Sequence, residues 1–186
     1  MKSFESSTLV KDEIWAFENS DPSFSPDEAY VVFTAVRNFE QDILVHHIKD
    51  NKTTNITNSG ITEANPVWSP DGKYIYYNST QSGNMQLWRM KMDGTEQTQL
   101  TFDEYNNWFA HVSPDNKWIA FISFPNTLDP GDHPFYKRVM LRLMPINGGG
   151  PKVIATLFGG QGTINTPSWS PDSKYISFIS NSGPIQ

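Results

Sequence analysis

The stretch PVWSPDGKYIYYNSTQSGNMQLWRMKMDGTEQTQLTF (66–102) holds one complete structural unit. A short apolar piece ends at Trp68, and Ser69-Pro70-Asp71-Gly72 then turns the chain. Proline presets φ there, aspartate bonds its own downstream backbone, and glycine accepts a positive φ. Ile75 to Asn78 read as a second strand, MQLWRMKM (85–92) as a third and TQLTF (98–102) as a fourth, with the polar turn MDGTEQ (92–97) between the last two.

The same text recurs on either side, as DPSFSPDEAYVVF (21–33), FAHVSPDNKWIAF (109–121) and TPSWSPDSKYISF (166–178). The Ser-Pro-Asp triplets begin at Ser25, Ser69, Ser113 and Ser170, so successive turns start 44, 44 and 57 residues apart. A repeat of this length belongs to arrays and propellers. Four antiparallel strands per repeat predict an all-β fold, a β-propeller of four-stranded blades. A β-sandwich gives no reason for one turn to recur at a fixed interval, and a helical solenoid needs a 3.6-residue apolar period that no long segment shows. The units fall at about 20–58, 63–102, 107–158 and 164–180, the last ending after two strands. The 186 residues therefore hold about four units, where six blades would need about 264 residues. Two outcomes follow. Either a strand at 8–17 closes a four-bladed ring, or the chain is part of a six-bladed one, and open blade edges then invite pairing with a second copy.

Repetition also sorts the residues. Phe24, Trp68 and Trp169 hold equivalent inner-strand positions and read as packing between blades, as do Trp88 and Met90 on a third strand. The recurring serines read as turn residues, since an active site needs one nucleophile and not four.

Composition narrows the function. Asp and Glu outnumber Lys and Arg by 20 to 14, a net charge of -6 that excludes a general nucleic-acid binder. There is no cysteine, which excludes disulfides and thiolate chemistry. No apolar run approaches the roughly 20 residues of a membrane helix, so no membrane insertion is expected. MKSFESSTLVKDEIWAF (1–17) has charges where a secretory signal needs an apolar core. No cofactor or metal is expected either: HExxH and G-x-S-x-G are absent, and His46 and His47 are neighbours on a strand and point to opposite faces.

The repeats resemble those of the TolB family of propellers, in which Pro-x-Trp-Ser-Pro-Asp-Gly-Lys-x-Ile-x-Phe leads to Ile-Trp-x-Met-x-x-Asp-Gly and a Leu-Thr. Residues 66–102 match almost completely. The first unit has Phe24 for Trp and Glu28 for Gly; the third has Ala110, Val112 and Asn116; the fourth has Ser173 for Gly. Residues 123–180 are similar to an uncharacterised bacterial branch of that family. The resemblance implies a propeller that usually closes with six blades, is often periplasmic or cell-envelope associated, and binds a peptide, protein segment or glycan without catalysis. Oligogalacturonate lyases and prolyl-oligopeptidase-like enzymes carry similar propellers, so an enzyme of polysaccharide or envelope metabolism is the alternative.

In a propeller, first strands line the channel, and the loops between blades share one face with those between second and third strands. The connection 124–138, FPNTLDPGDHPFYKR, is longer than its counterpart 79–84 and accounts for most of the extended third interval. FGGQGTIN (158–165) beside it has three glycines that leave amides open to a ligand. The predicted polar site on this face is His133, Lys137, Arg138, Gln161 and Asn165, with Glu63, Asn107 and Trp108 on neighbouring inner-strand starts. A cation pair beside an amide-rich loop suits a carboxylate or sugar acid. His111, on an inner strand, reads as a hydrogen-bonded structural residue, and Asp129 and Asp132 are too few to specify calcium.

Overall fold

The computed structural model describes residues 19–37, 40–164 and 168–181. The closing strand expected at 8–17 and the site residue Asn165 lie outside the described residues. Among the described residues, twelve strands form three antiparallel sheets in simple sequence order. The first holds β1 (Asn19–Phe24), β2 (Tyr30–Arg37), β3 (Glu40–His47) and β4 (Lys52–Asn55). The second holds β5 (Glu63–Trp68), β6 (Ile75–Ser82), β7 (Asn84–Met90) and β8 (Thr98–Gln99). The third holds β9 (Asn106–Val112), β10 (Trp118–Phe124), β11 (Phe135–Pro145) and β12 (Lys152–Gly160). These are the predicted blades. Among the described residues no helix is long and apolar enough to cross a membrane.

Each Ser-Pro-Asp turn is built alike. The serine Oγ donates to the aspartate two residues on, at 2.7 Å for Ser69, Ser113 and Ser170, and accepts the backbone N–H five residues on, at 3.0, 2.9 and 2.9 Å. The fourth turn residue takes positive φ in every repeat, in Glu28, Gly72, Asn116 and Ser173.

Both faces of the middle strands are buried. Tyr77 packs with Val32, Ile43 and Trp68 between the first two sheets, while Tyr76, one residue earlier, packs with Ala110, Ile119 and Phe121 between the second and third. The apolar run Ile119–Ile122 is fully buried for the same reason. Hydrogen bonds join the blades as well. The Asn65 N–H donates to Thr34 Oγ1 of the preceding blade at 3.2 Å, and one blade on the Phe109 N–H donates to Asn78 Oδ1 at 3.2 Å.

Two expectations change. Trp68 packs against Tyr30 of the preceding sheet, but Phe24, its equivalent, is 57% exposed, because no preceding sheet lies among the described residues. The long connection of the third blade spans only 125–134, since Phe135 to Arg138 belong to β11. β11 has 11 residues and β12 has 9, against 7 and 2 in β7 and β8, so much of the extra length is paired ribbon rather than loop. Tyr136, with φ of 58°, supplies the bulge that lets the ribbon continue. In the fourth unit the turn forms, and among the described residues its two sides pair through the bridge Trp169–Ile176 and the Ser177 N–H bond to the Ser168 carbonyl at 2.8 Å. Residues 179 and 181 also donate backbone bonds to Thr163 and Phe158 of the third blade.

Candidate functional site

Inner strands β1, β5 and β9 each carry one residue with positive φ four positions before the turn serine: Asp21 (55°), Asn65 (51°) and Phe109 (61°). These residues bulge their strands and turn side chains toward the channel. A cavity of about 460 Å3 opens there, with Asp21, Thr34, Asn65, Phe109, His133 and Gln161 among its lining residues. Asn65 Nδ2 donates to Asp21 Oδ2 at 2.8 Å, bridging two blades across the cavity wall.

On the third blade, the 125–134 loop folds inward. Asn106 Nδ2 donates to the Leu128 carbonyl at 3.2 Å and Leu128 packs on the core, so the loop is tied at mid-length. The His133 ring then lies edge-on to Trp108 at 4.5 Å and Phe109 at 5.2 Å between centroids. Trp108 is buried and acts as the floor under His133. Gln161 follows Gly160, where a Cβ would run into the Pro134 carbonyl, and its N–H donates to that carbonyl at 3.3 Å. Glycine is required there so that the loop and the 159–162 turn can close on each other. His111 also lines the cavity; burial pushes its imidazole below the ordinary histidine range, so it is neutral at pH 7, and its carbonyl accepts from Trp169 Nε1 at 3.0 Å. Two wall atoms, Asn65 Oδ1 and His133 Nδ1, are buried and have no hydrogen-bond partner among the described residues.

His133, Trp108 and Gln161 thus come together at the channel. Glu63 and Asn107 do not. They occupy equivalent places in the two blade junctions. Asn107 Nδ2 donates to Gln86 Oε1 and to Asp103 Oδ1, both at 3.0 Å, and its Oδ1 accepts from Ser123 Oγ at 2.6 Å. Arg142, 7% exposed, pairs with Asp103 at 2.6 Å beside it. In the first junction Glu63, 1% exposed, accepts from the hydroxyls of Thr57 and Ser59. Thr57 Oγ1 also donates to Asp42 Oδ1 at 3.3 Å. Burial raises the Glu63 pKa above the ordinary range, and the charge of Asp42 adds to the rise. Lys137 and Arg138 stand exposed on the β11–β12 ribbon, away from the cavity lining.

Sequence reasoning missed Asp21, Thr34, Asn65 and Phe109. The signal was the position four before each turn serine, where Asp, Asn and Phe replace one another inside an otherwise repeated unit. Among the described residues no three His, Asp or Glu side chains converge as a metal-binding group.

Comparison with known proteins agrees with this architecture. An uncharacterised protein of Agrobacterium fabrum is 36% identical over 156 residues, covering 84% of this chain and 53% of its own length. A solved structure assigned to TolB from Agrobacterium tumefaciens superposes with a TM-score of 0.82 at 33% identity, over 92% of this chain and 61% of that one. TolB from Acinetobacter baumannii, at 23% identity and a TM-score of 0.65 over 80% of this chain and 34% of its own, shares the fold. The chain spans about half the length of this Agrobacterium fabrum relative. Residues 7–130 match the TolB beta propeller domain, and the chain belongs to that family.

Proposed function

We propose that this propeller is a noncatalytic binding module that takes an extended peptide or protein segment at the channel cavity between β1, β5 and β9. The observation that carries this reading is the pair of buried wall atoms, Asn65 Oδ1 and His133 Nδ1, without a protein partner among the described residues. A buried polar atom left unbonded costs about 1–3 kcal/mol, which a bound donor or acceptor recovers. A peptide backbone offers both kinds of group at short intervals, and the Gln41 and Gln161 amides on the same wall can give and accept in turn. Phe109 adds an apolar surface for a side chain. Asn165, next to Ile164 in the chain, stays within the proposed set. Trp108 supports His133, and Glu63 and Asn107 hold the junctions that shape the channel. The family implies a cell-envelope setting, periplasmic where the protein is exported.

Peptides selected from a random library against the protein test this. Gln161→Ala should weaken the selected peptide about tenfold, and His133→Phe, which keeps the ring packing and removes the nitrogens, by a similar factor. Unchanged affinity in both variants would overturn the proposal.

A further inference from the structure

The β11–β12 ribbon carries a feature that the other blades lack and the channel does not use. Its bulge brings Phe135, Tyr136 and Phe158 into a row, with ring centroids 6.2 and 6.4 Å apart. They are 51%, 65% and 39% exposed. Arg138 lies directly opposite Phe158 across the strand pair, and Val139 lies opposite Leu157. Val139 and Leu157 are in the core, so Arg138 and Phe158 share the outer face. Lys137 is exposed beside them. Among the described residues neither cation forms an ion pair, in a chain whose net charge is -6.

The platform is held in place. The Phe135 ring lies against Gly162, where an added Cβ would come within 3.4 Å of it, and the Gln161 N–H bond to Pro134 closes the ribbon's end. Exposed aromatic rows of this kind mark binding surfaces. The class of ligand follows from two observations. A peptide adding as a strand needs the free edge of β12, but beside the platform that edge is occupied: the Phe158 carbonyl accepts from the Asn181 N–H at 2.7 Å. What remains is a ligand that lies flat on ring faces and carries negative charge. The C–H face of a pyranose suits the electron-rich face of an aromatic ring, and a carboxylate suits the two-pronged guanidinium.

We infer that Tyr136, Phe158 and Arg138 form a second binding surface, distinct from the channel, for an acidic oligosaccharide. The test is calorimetric titration of the whole chain with a hexamer of linked mannuronic acid, with maltohexaose as the neutral counterpart and vesicles containing phosphatidylglycerol as a rival anionic surface. The acidic hexamer should bind, and maltohexaose at least tenfold more weakly. Tyr136→Ala and Arg138→Gln, both on exposed side chains, should each weaken the hexamer about tenfold or more, while Gln161→Ala leaves it unchanged. A separate outcome for Gln161→Ala keeps this surface distinguishable from the channel. No binding of the hexamer, equal binding of maltohexaose, loss of binding in Gln161→Ala, or vesicle binding lost in Arg138→Gln without hexamer binding would each overturn the inference. Arg138→Glu provides the charge-reversed check: it should abolish binding with the thermal midpoint unchanged.

Discussion

Glu28 adopts a φ of 58°, which the second repeat assigns to Gly72 at 70°. A side chain in this left-handed region costs roughly 1 kcal/mol relative to glycine. Glu28→Gly should therefore stabilise the protein by about 1 kcal/mol, read as a higher urea midpoint at unchanged slope. The neighbouring serines run the other way. Ser113 is fully buried, donates to Asp115 and accepts from the Trp118 N–H, so Ser113→Ala leaves that N–H without its partner and should cost about 1–3 kcal/mol. Two sets of carboxyls give opposite pH dependence. The serine hydroxyls beside Asp27, Asp115 and Asp172 hold those carboxyls below the ordinary 3.8, so the stability they supply is present above that value and lost as pH falls through the depressed ones. Glu63 is raised above 4.5, so the folded chain keeps a proton that the unfolded chain releases. Its contribution is full below 4.5 and declines as pH rises through the raised value. Glu63→Gln should remove that decline and be more stable than the parent at neutral pH, as urea midpoints between about pH 4 and about pH 8 would show.

Blade junctions are the next scale, and the two complete ones differ in chemistry. The first holds two carboxyls, Glu63 and Asp42, close enough for the charge of Asp42 to raise the Glu63 pKa, whereas the second holds Asp103 with Arg142 and three neutral polar side chains. Breaking a buried pair from one side strands a charge, which costs about 3–5 kcal/mol, and the stranded charge costs more the better it is buried, as Arg142 is relative to Asp103. Asp103→Ala should therefore destabilise by about 3 kcal/mol and more than Arg142→Met does, measured by chemical denaturation. The blades themselves were legible because a propeller repeats its turns, and Ser25, Ser69, Ser113 and Ser170 mark them at sight. The channel wall was not. A bulge at Asp21, Asn65 and Phe109 depends on backbone geometry that three unlike side chains share, so no residue type announces it. Lys137 and Arg138 read as loop residues because the ribbon holding them depends on pairing with Gly159 and Phe158, twenty or more positions away. His133 was found for its chemistry, and its seat on Trp108 came from the loop's tie at Leu128.

Among the described residues, three blades bring their inner strands to one cavity, and residues from each of the three reach its wall. The ring contacts of His133 and the glycine-dependent closure at 159–162 hold that wall in shape before any ligand arrives, which favours binding by lowering the ordering cost. The β11–β12 ribbon stands outside it as a separate surface. The most direct measurement of the channel reading is an amide chemical-shift map of the isotopically labelled protein as a selected peptide is added. Perturbations should concentrate at Asn65, Phe109, His133 and Gln161 and vanish in the Gln161→Ala, His133→Phe double variant. Perturbations confined to the outer strands, with the cavity amides unmoved, would contradict it.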